Sequence, residues 1–360
     1  MCKSYKEKIQ TKIDILSKML PIDTEIQVSG KIPTSVSSEF ITNREQGDWA
    51  ERVVSNAINQ NENYIAVKYG RSEELSAGDD GFKEFYSDYQ NELNNIGKLP
   101  DLLVFKKADY FPGIEKDDDG IKKAICAIEV RSSSFLIDKY NNFMIDRNHI
   151  ASNKIETLRE KIFNSETLNS LLLSKNKVIY DILKNSTIDE FKNGATFKFR
   201  KLSSTPDLVK LSEILKEIKD NIKIIQKRDY LSITPKLEDI ALVNRWIQHF
   251  DVPHYYLQVF FDKAYIISFD DILNLSSDHN NEGRKFSIEK DTKNQGKTTI
   301  KIDVNTQESK LIIDEISMPR HYSNMKELDR GRLLFYIKFD DSNSKLSNHI
   351  LEEVFNEYSR

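Results

Sequence analysis

The segment Ala124-Ile125-Cys126-Ala127-Ile128-Glu129-Val130-Arg131 is apolar at every position but two. A short run of this kind reads as a strand covered on both faces, and such strands lie inside sheets packed between layers of helix. Glu129 is the exception to explain, because a buried carboxylate is costly unless a cation or a metal compensates it. The rest of the chain must supply neighbouring strands, covering helices and a partner for that charge.

Strand and helix patterns alternate around this segment. Residues 64–69 and 99–105 read as two short strands before it, and 255–261 and 264–269 as an adjacent pair joined at Asp262-Lys263. Helical stripes run through 4–19 (Ile9, Ile13, Leu16), through about 48–60 (Ala50, Val53, Val54, Ala57) and through 237–250 (Ile240, Val243, Ile247), the last capped by Thr234-Pro235. Residues 31–40 have no period and read as a loop or contact arm, and 115–120 as an exposed, hairpin-like connection. After Pro206, Leu208, Leu211, Leu215, Ile218, Ile222 and Ile225 form a heptad-like seam that either packs inside its own domain or makes a dimer, internal packing being favoured because fewer than four heptads are sustained. Residues 297–304 and 310–316 alternate around the turn 305–309 and predict a half-exposed hairpin. The fold class is α/β, elaborated by helical and β-hairpin insertions. The divisions are 1–46 as an N-terminal helix and arm, 47–275 as a core with a basic helical insertion at about 149–235, and 276–360 as a C-terminal hairpin and helix elaboration for recognition.

Composition narrows the function classes. A chain of 360 residues can bury a large core without disulfide staples. No apolar run approaches the length that spans a bilayer, and the N-terminus lacks the apolar core of a signal peptide. Cys2 and Cys126 are the only cysteines, which suits a reducing cytoplasm and leaves oxygen or His as the ligands of any metal. The net charge of -4 argues against nucleic acid on its face, but it conceals a split. Residues 73–119 carry 13 acidic against 5 basic residues, whereas residues 149–235 carry 16 basic against 11 acidic. A cation site beside a polyanion surface fits that split, and so do two solvated faces of opposite sign.

Three acidic residues occupy informative places. Glu51 lies on the second helix, Asp101 follows Pro100 at a strand start, and Glu129 shares a strand face with Arg131 two positions on. Neighbouring strands can bring Asp101 and Glu129 to one end of a sheet, a geometry that suits Mg²⁺ held by one or two carboxylates, water and phosphate oxygens. Each has a plainer reading: Asp101 as a turn residue, Glu129 as the salt-bridge partner of Arg131, and Glu51 as a solvated helix residue. Pro206-Asp207 repeats the dipeptide of the strand start but opens a helix. Gln295-Gly296-Lys297-Thr298 ends like a phosphate loop, yet it lacks the first Gly and the following helix. His254, between Pro253 and two tyrosines, reads as a satisfied histidine at a sheet end rather than a ligand.

Leu99-Pro100-Asp101 followed by Ile128-Glu129-Val130-Arg131 resembles the PD-(D/E)xK nuclease signature, with Glu51 placed like that superfamily's helix-borne acid. Ser38-Glu39-Phe40 through Glu51, Glu129 through Phe135, and Phe250-Asp251-Val252-Pro253-His254-Tyr255-Tyr256 further resemble type II restriction endonucleases of the AccI kind, over about residues 40–270. The resemblance implies a mixed central sheet flanked by helices and Mg²⁺-dependent hydrolysis at a short, palindromic site in double-stranded DNA. It also implies a homodimer and, functionally, a cognate DNA methyltransferase. Asp101, Glu129 and the Val130 carbonyl are the implied metal ligands, with Arg131 and Glu51 assisting catalysis. Arg131 stands where the family has Lys and cannot act as a base; Lys98 or Lys139 could stand in. That departure keeps open a DNA-binding protein without cleavage, and a repair or junction nuclease is the other enzymatic reading. Candidate DNA contacts are Arg320, His321 and Asn324, and Lys198 and Arg200 in a stretch where Phe197 and Phe199 are interleaved.

Overall fold

A computed structural model of the chain describes residues 4–70, 75–201, 203–291, 299–328 and 331–358. The chain forms two compact units, one of Met1–Ile137 with Leu231–Arg360 and one of Asp138–Tyr230. In chain order the elements are α1 (Tyr5–Leu16), α2 (Ser38–Asn59), β1 (Tyr64–Lys68), α3 (Phe82–Asn95), β2 (Leu102–Lys106), α4 (Asp118–Ile121) and β3 (Cys126–Ser132). The second unit follows with α5 (Ile137–Phe163), α6 (Glu166–Lys175), α7 (Lys177–Asn185), α8 (Ile188–Lys192) and α9 (Pro206–Gln226). The chain then returns to the first unit through β4 (Ser232–Ile233), α10 (Leu237–Phe250), β5 (His254–Val259), β6 (Ala264–Ser268) and α11 (Phe269–Ser276). It ends with β7 (Phe286–Asp291), β8 (Thr299–Asn305), β9 (Lys310–Ile316), β10 (His321–Leu328), β11 (Arg332–Phe339), β12 (Ser344–Leu346) and α12 (Asn348–Asn356).

The first unit is built on a mixed sheet of order β1-β2-β3-β5-β6-β9-β12. β3 and β5 are parallel, and the other neighbours in this sheet are antiparallel. The period of two sorts the sheet residues into two cores. Leu103, Phe105, Ala127 and Tyr256 pack with α1, α10 and α11 on one face, whereas Leu102, Val104, Cys126, Ile128 and Leu257 pack with α2 and α12 on the other. β3 is thus a central strand covered on both sides, as its composition requires. No helix among the described residues is long and apolar enough to cross a membrane.

Several local expectations are corrected. The second helix begins at Ser38 rather than near 48, capped by the Ser37 side chain accepting from the Phe40 amide, and its first turns bury Ile41 within a polar run that hides the period. The connection between β1 and β2 contains α3, unreadable as a stripe because Leu93 is its one buried residue. Residues 118–121 form a short helix capped by Asp117, with Gly120 lying so close to the Ile114 carbonyl that a Cβ would fall 2.1 Å from it. Thr234 does not cap α10: its hydroxyl donates to Asp303 at 2.7 Å. Most consequentially, β8 and β9 are not a hairpin. β8 pairs with β4 and β7 in a separate three-stranded sheet, while β9 joins the large sheet between β6 and β12. The 3-10 turn 306–308 lets Ile302 and Val304 enter one core and Ile312 and Ile313 the other. The start of the predicted strand at 297, and the phosphate-loop-like sequence before it, lie outside the described residues.

In the second unit the heptad-like seam is internal. Leu211, Leu215, Ile218, Ile222 and Ile225 of α9 are buried with Ile155 and Ile162 of α5, Leu168 and Leu172 of α6, and Phe191 of α8.

Candidate active site

β2 and β3 pair with Leu102 opposite Ile128, so one further step in the register sets Asp101 opposite Glu129. Asp101 is held there by backbone. Its carbonyl accepts from the amides of Tyr69 and Gly70, and its Oδ2 accepts the Val130 N–H at 2.6 Å. Gly70 makes this approach feasible, since a Cβ there would lie 3.2 Å from the Pro100 carbonyl and 3.3 Å from the Asp101 Cα.

Glu129, on the same face of β3 as Ala127, is only 2% exposed, and two cations meet it. Lys98 Nζ is 2.6 Å from Glu129 Oε1, and Arg131 Nη2 is 2.9 Å from the same oxygen. Both cations also reach Asp239, in the first turn of α10: Lys98 Nζ is 3.0 Å and Arg131 Nη2 3.1 Å from its Oδ2. Two carboxylates and two cations therefore alternate in a closed ring. Glu129 Oε2 and Arg131 Nε are buried without a hydrogen-bond partner.

The placement of Lys98 follows from the residue before it. Gly97 has φ +97°, and a Cβ there would fall 2.3 Å from the Leu242 carbonyl and 2.7 Å from the Trp246 nitrogen of α10. Only glycine allows both that conformation and that proximity. The Lys98 amide then donates to the Leu242 carbonyl at 3.1 Å, and Arg245 of α10 donates to the carbonyls of Leu93 and Asn94 at the end of α3. Helix α10 thus carries Asp239 and docks the segment bearing Lys98.

The electrostatics divide the site. Burial opposes the charge of Glu129, but Lys98 and Arg131 more than offset it and hold its pKa below the ordinary range; Asp239 is held low in the same way. Burial likewise opposes the charges of Lys98 and Arg131, yet Glu129 and Asp239 raise both pKa values, so both stay protonated. Asp101 is the opposite case. Burial, then the charges of Glu129 and Glu51, push its pKa well above that of an ordinary carboxyl, against the weaker help of Lys98 and the Val130 N–H. Glu51, on α2, is raised by burial despite its ion pair with Lys68 of β1 at 3.1 Å. A polar cavity of about 590 Å³ opens at this pair, lined also by Asp48, Arg44 and Arg52.

The sequence-derived residues fare unequally. Asp101, Glu129, Arg131 and Lys98 come together, and Glu51 lies close enough for its charge to be felt at Asp101. Lys139 lies in the other unit. Asp239 and Lys68 were missed. Asp239 carried no local signal beyond being an acid in a first helical turn, where acids are common. His254 is buried in β5 but not satisfied, since neither ring nitrogen has a hydrogen-bond partner, and burial lowers its pKa to about 4. Arg320 and His321 are exposed at the start of the β10–β11 hairpin, and the Asn324 side chain is occupied by Tyr336 and the Met325 amide. Lys198 and Arg200 are exposed and line, with Lys175, a cavity of about 430 Å³ in the second unit. The interleaved Phe197 is core and Phe199 packs against it, so neither is a free stacking platform.

Among the described residues, no three His, Cys, Asp or Glu side chains are gathered to hold a metal ion. Asp101 and Glu129, opposite each other across β2 and β3, carry carboxylate oxygens of the kind a hard cation prefers. No curated protein and no solved structure matches the chain significantly. The model of the family described as AccI restriction endonuclease matches residues 3–359, nearly the whole chain. That match over nearly the whole chain makes this protein a member of the AccI restriction endonuclease family, and so a site-specific deoxyribonuclease.

Proposed function

We propose that this enzyme is a Mg²⁺-dependent type II restriction endonuclease with a PD-(D/E)xK-like core that hydrolyses phosphodiester bonds at a short, palindromic site in double-stranded DNA. The observation that carries the reading is the β2–β3 register, which sets Asp101 against Glu129 with Lys98 and Arg131 alongside. Mg²⁺ fits the donors present, because it takes one or two carboxylates and completes its shell with water and phosphate oxygens. The unpartnered Glu129 Oε2 and the raised pKa of Asp101 mark a place short of positive charge. Asp101 and Glu129 would hold the ion, with the Val130 carbonyl as a further ligand, and it would supply polarisation of the phosphate and of water.

The chain's own residues account for the rest. Arg131, standing where the family has Lys, cannot accept a proton, and Lys98 is held in its charged form by Glu129 and Asp239. Both therefore serve as cations facing the charge that builds on the phosphorane, not as bases. Glu51, tied to Lys68, orients water at the open side. Lys198 and Arg200 of the basic unit and Arg320, His321 and Asn324 of the hairpin contact the duplex, and the symmetry of a palindrome is met by a homodimer. A cognate methyltransferase protects host DNA.

The test is digestion of unmethylated plasmid and viral DNA in Mg²⁺ with an EDTA control. Discrete, metal-dependent fragments are expected, and loss of cleavage in Asp101→Ala and Glu129→Ala with binding retained in Ca²⁺. Cutting confined to branched substrates would instead mark a junction nuclease. Bound but intact DNA with every divalent ion would mark a DNA-binding protein.

A further inference from the structure

We infer that Asp239 is a positioning residue that shares Lys98 and Arg131 with Glu129, and so leaves Glu129 able to bind a divalent cation. The inference rests on the metal-site reading above. Both cations contact one oxygen of Glu129 and one oxygen of Asp239, at 2.6 and 2.9 Å on one side and 3.0 and 3.1 Å on the other. Without Asp239, two partly buried cations would face a single carboxylate that is 2% exposed and would compete with any metal for it. With Asp239, the ring is neutral and each cation has an anchor on α10 that persists when Glu129 turns toward a new partner.

Lys98, Arg131, Glu129 and Asp239 sum to zero, so with Asp101 ionised the centre carries about one negative charge. A divalent ion would leave it with one positive charge, which a phosphodiester would cancel. Asp239 is thus the residue that sets the centre's charge to match an ion and a phosphate together. Its backbone placement serves the same end, since the helix that bears it also accepts the Lys98 amide at Leu242 and excludes any side chain at residue 97.

The experiment is Mn²⁺ binding, followed as free ion by electron paramagnetic resonance, in the full-length protein without turnover. Asp239→Asn is expected to weaken Mn²⁺ binding by about 10–100-fold, the range seen when partners of metal ligands are removed. In the double variant Lys98→Met/Asp239→Asn one cation again faces one carboxylate, and affinity should recover to within about threefold of wild type by this non-additivity. A purely structural role for Asp239 would lower the melting temperature and give no such recovery. The double variant also leaves no buried charge unpaired, so it remains a test if Asp239→Asn does not fold: Lys98→Met alone should then bind Mn²⁺ more tightly than the double variant. Equal affinities within either pair would overturn the role of Asp239 alone. A wild-type protein that binds no Mn²⁺, with or without DNA, would overturn the metal-site reading and this inference together.

Discussion

Two halves of one centre, facing each other across the β2–β3 register, are treated oppositely by the fold. In the middle of β3, Glu129 is buried among cations that hold it ionised. Just before β2, Asp101 is half-buried with one backbone N–H against its carboxylate, and desolvation and then its negative neighbours push its pKa up. The first half has its charge compensated within the chain through Glu129 Oε1, while Oε2 has no partner. The second is short of positive charge, and the difference shows where an added cation would lower the energy most.

Substitution at either carboxylate tests whether the two halves differ. Asp101→Asn and Glu129→Gln should each slow DNA cleavage by at least about a hundredfold, measured as turnover of a cleaved plasmid substrate. Their stabilities should diverge. Glu129→Gln leaves Lys98 and Arg131 with half their countercharge and should cost about 3–5 kcal/mol in urea unfolding. Asp101→Asn removes a charge the fold holds at a cost, and should leave stability unchanged or raise it by about 1 kcal/mol. Matching losses in the two variants would erase the distinction between the halves.

His254 sharpens the same contrast, being a buried ionisable group with no countercharge bonded to it. Its folded pKa of about 4 lies below the ordinary 6.5, so the folded state binds fewer protons than the unfolded state between these values. Its contribution is therefore full above pH 6.5 and lost as the pH falls toward 4, on the order of 3 kcal/mol. Melting temperature against pH should fall more steeply in wild type than in His254→Met across that window; parallel curves would show that the imidazole is not held neutral. The smallest effect is expected far from these charges. Lys198→Ala and Arg200→Ala, both exposed, should shift stability by no more than about 0.5 kcal/mol while weakening DNA binding in a salt-dependent way.

Much of the framework was legible because it is local. The apolar run of β3, the strands beside it and the stripe of α9 are written in neighbouring residues, and their periods match the observed burial. Glu129 and Arg131 could be set on one face by counting two along a strand. Where period was obscured by polar residues, as in the first turns of α2 or throughout α3, elements were misread or unseen. The pairing of β8 and β9 was misread for another reason: adjacency in sequence suggests a hairpin, but the partners were chosen by which core each strand could fill.

A covered central strand with a carboxylate in it, an acid after Pro100 in position to face it, and an Arg unable to act as a base are all written in the order of the residues. How those charges are balanced is not, and follows from the packing of distant segments. Asp239 lies 141 residues from Lys98, and nothing near either residue announces the other. Their meeting depends on Gly97 admitting α10 against the chain just before β2, and on β3 presenting Glu129 and Arg131 toward the same helix. Local pattern records which groups will be buried; which buried charges meet is set by packing, because charge compensation acts through space.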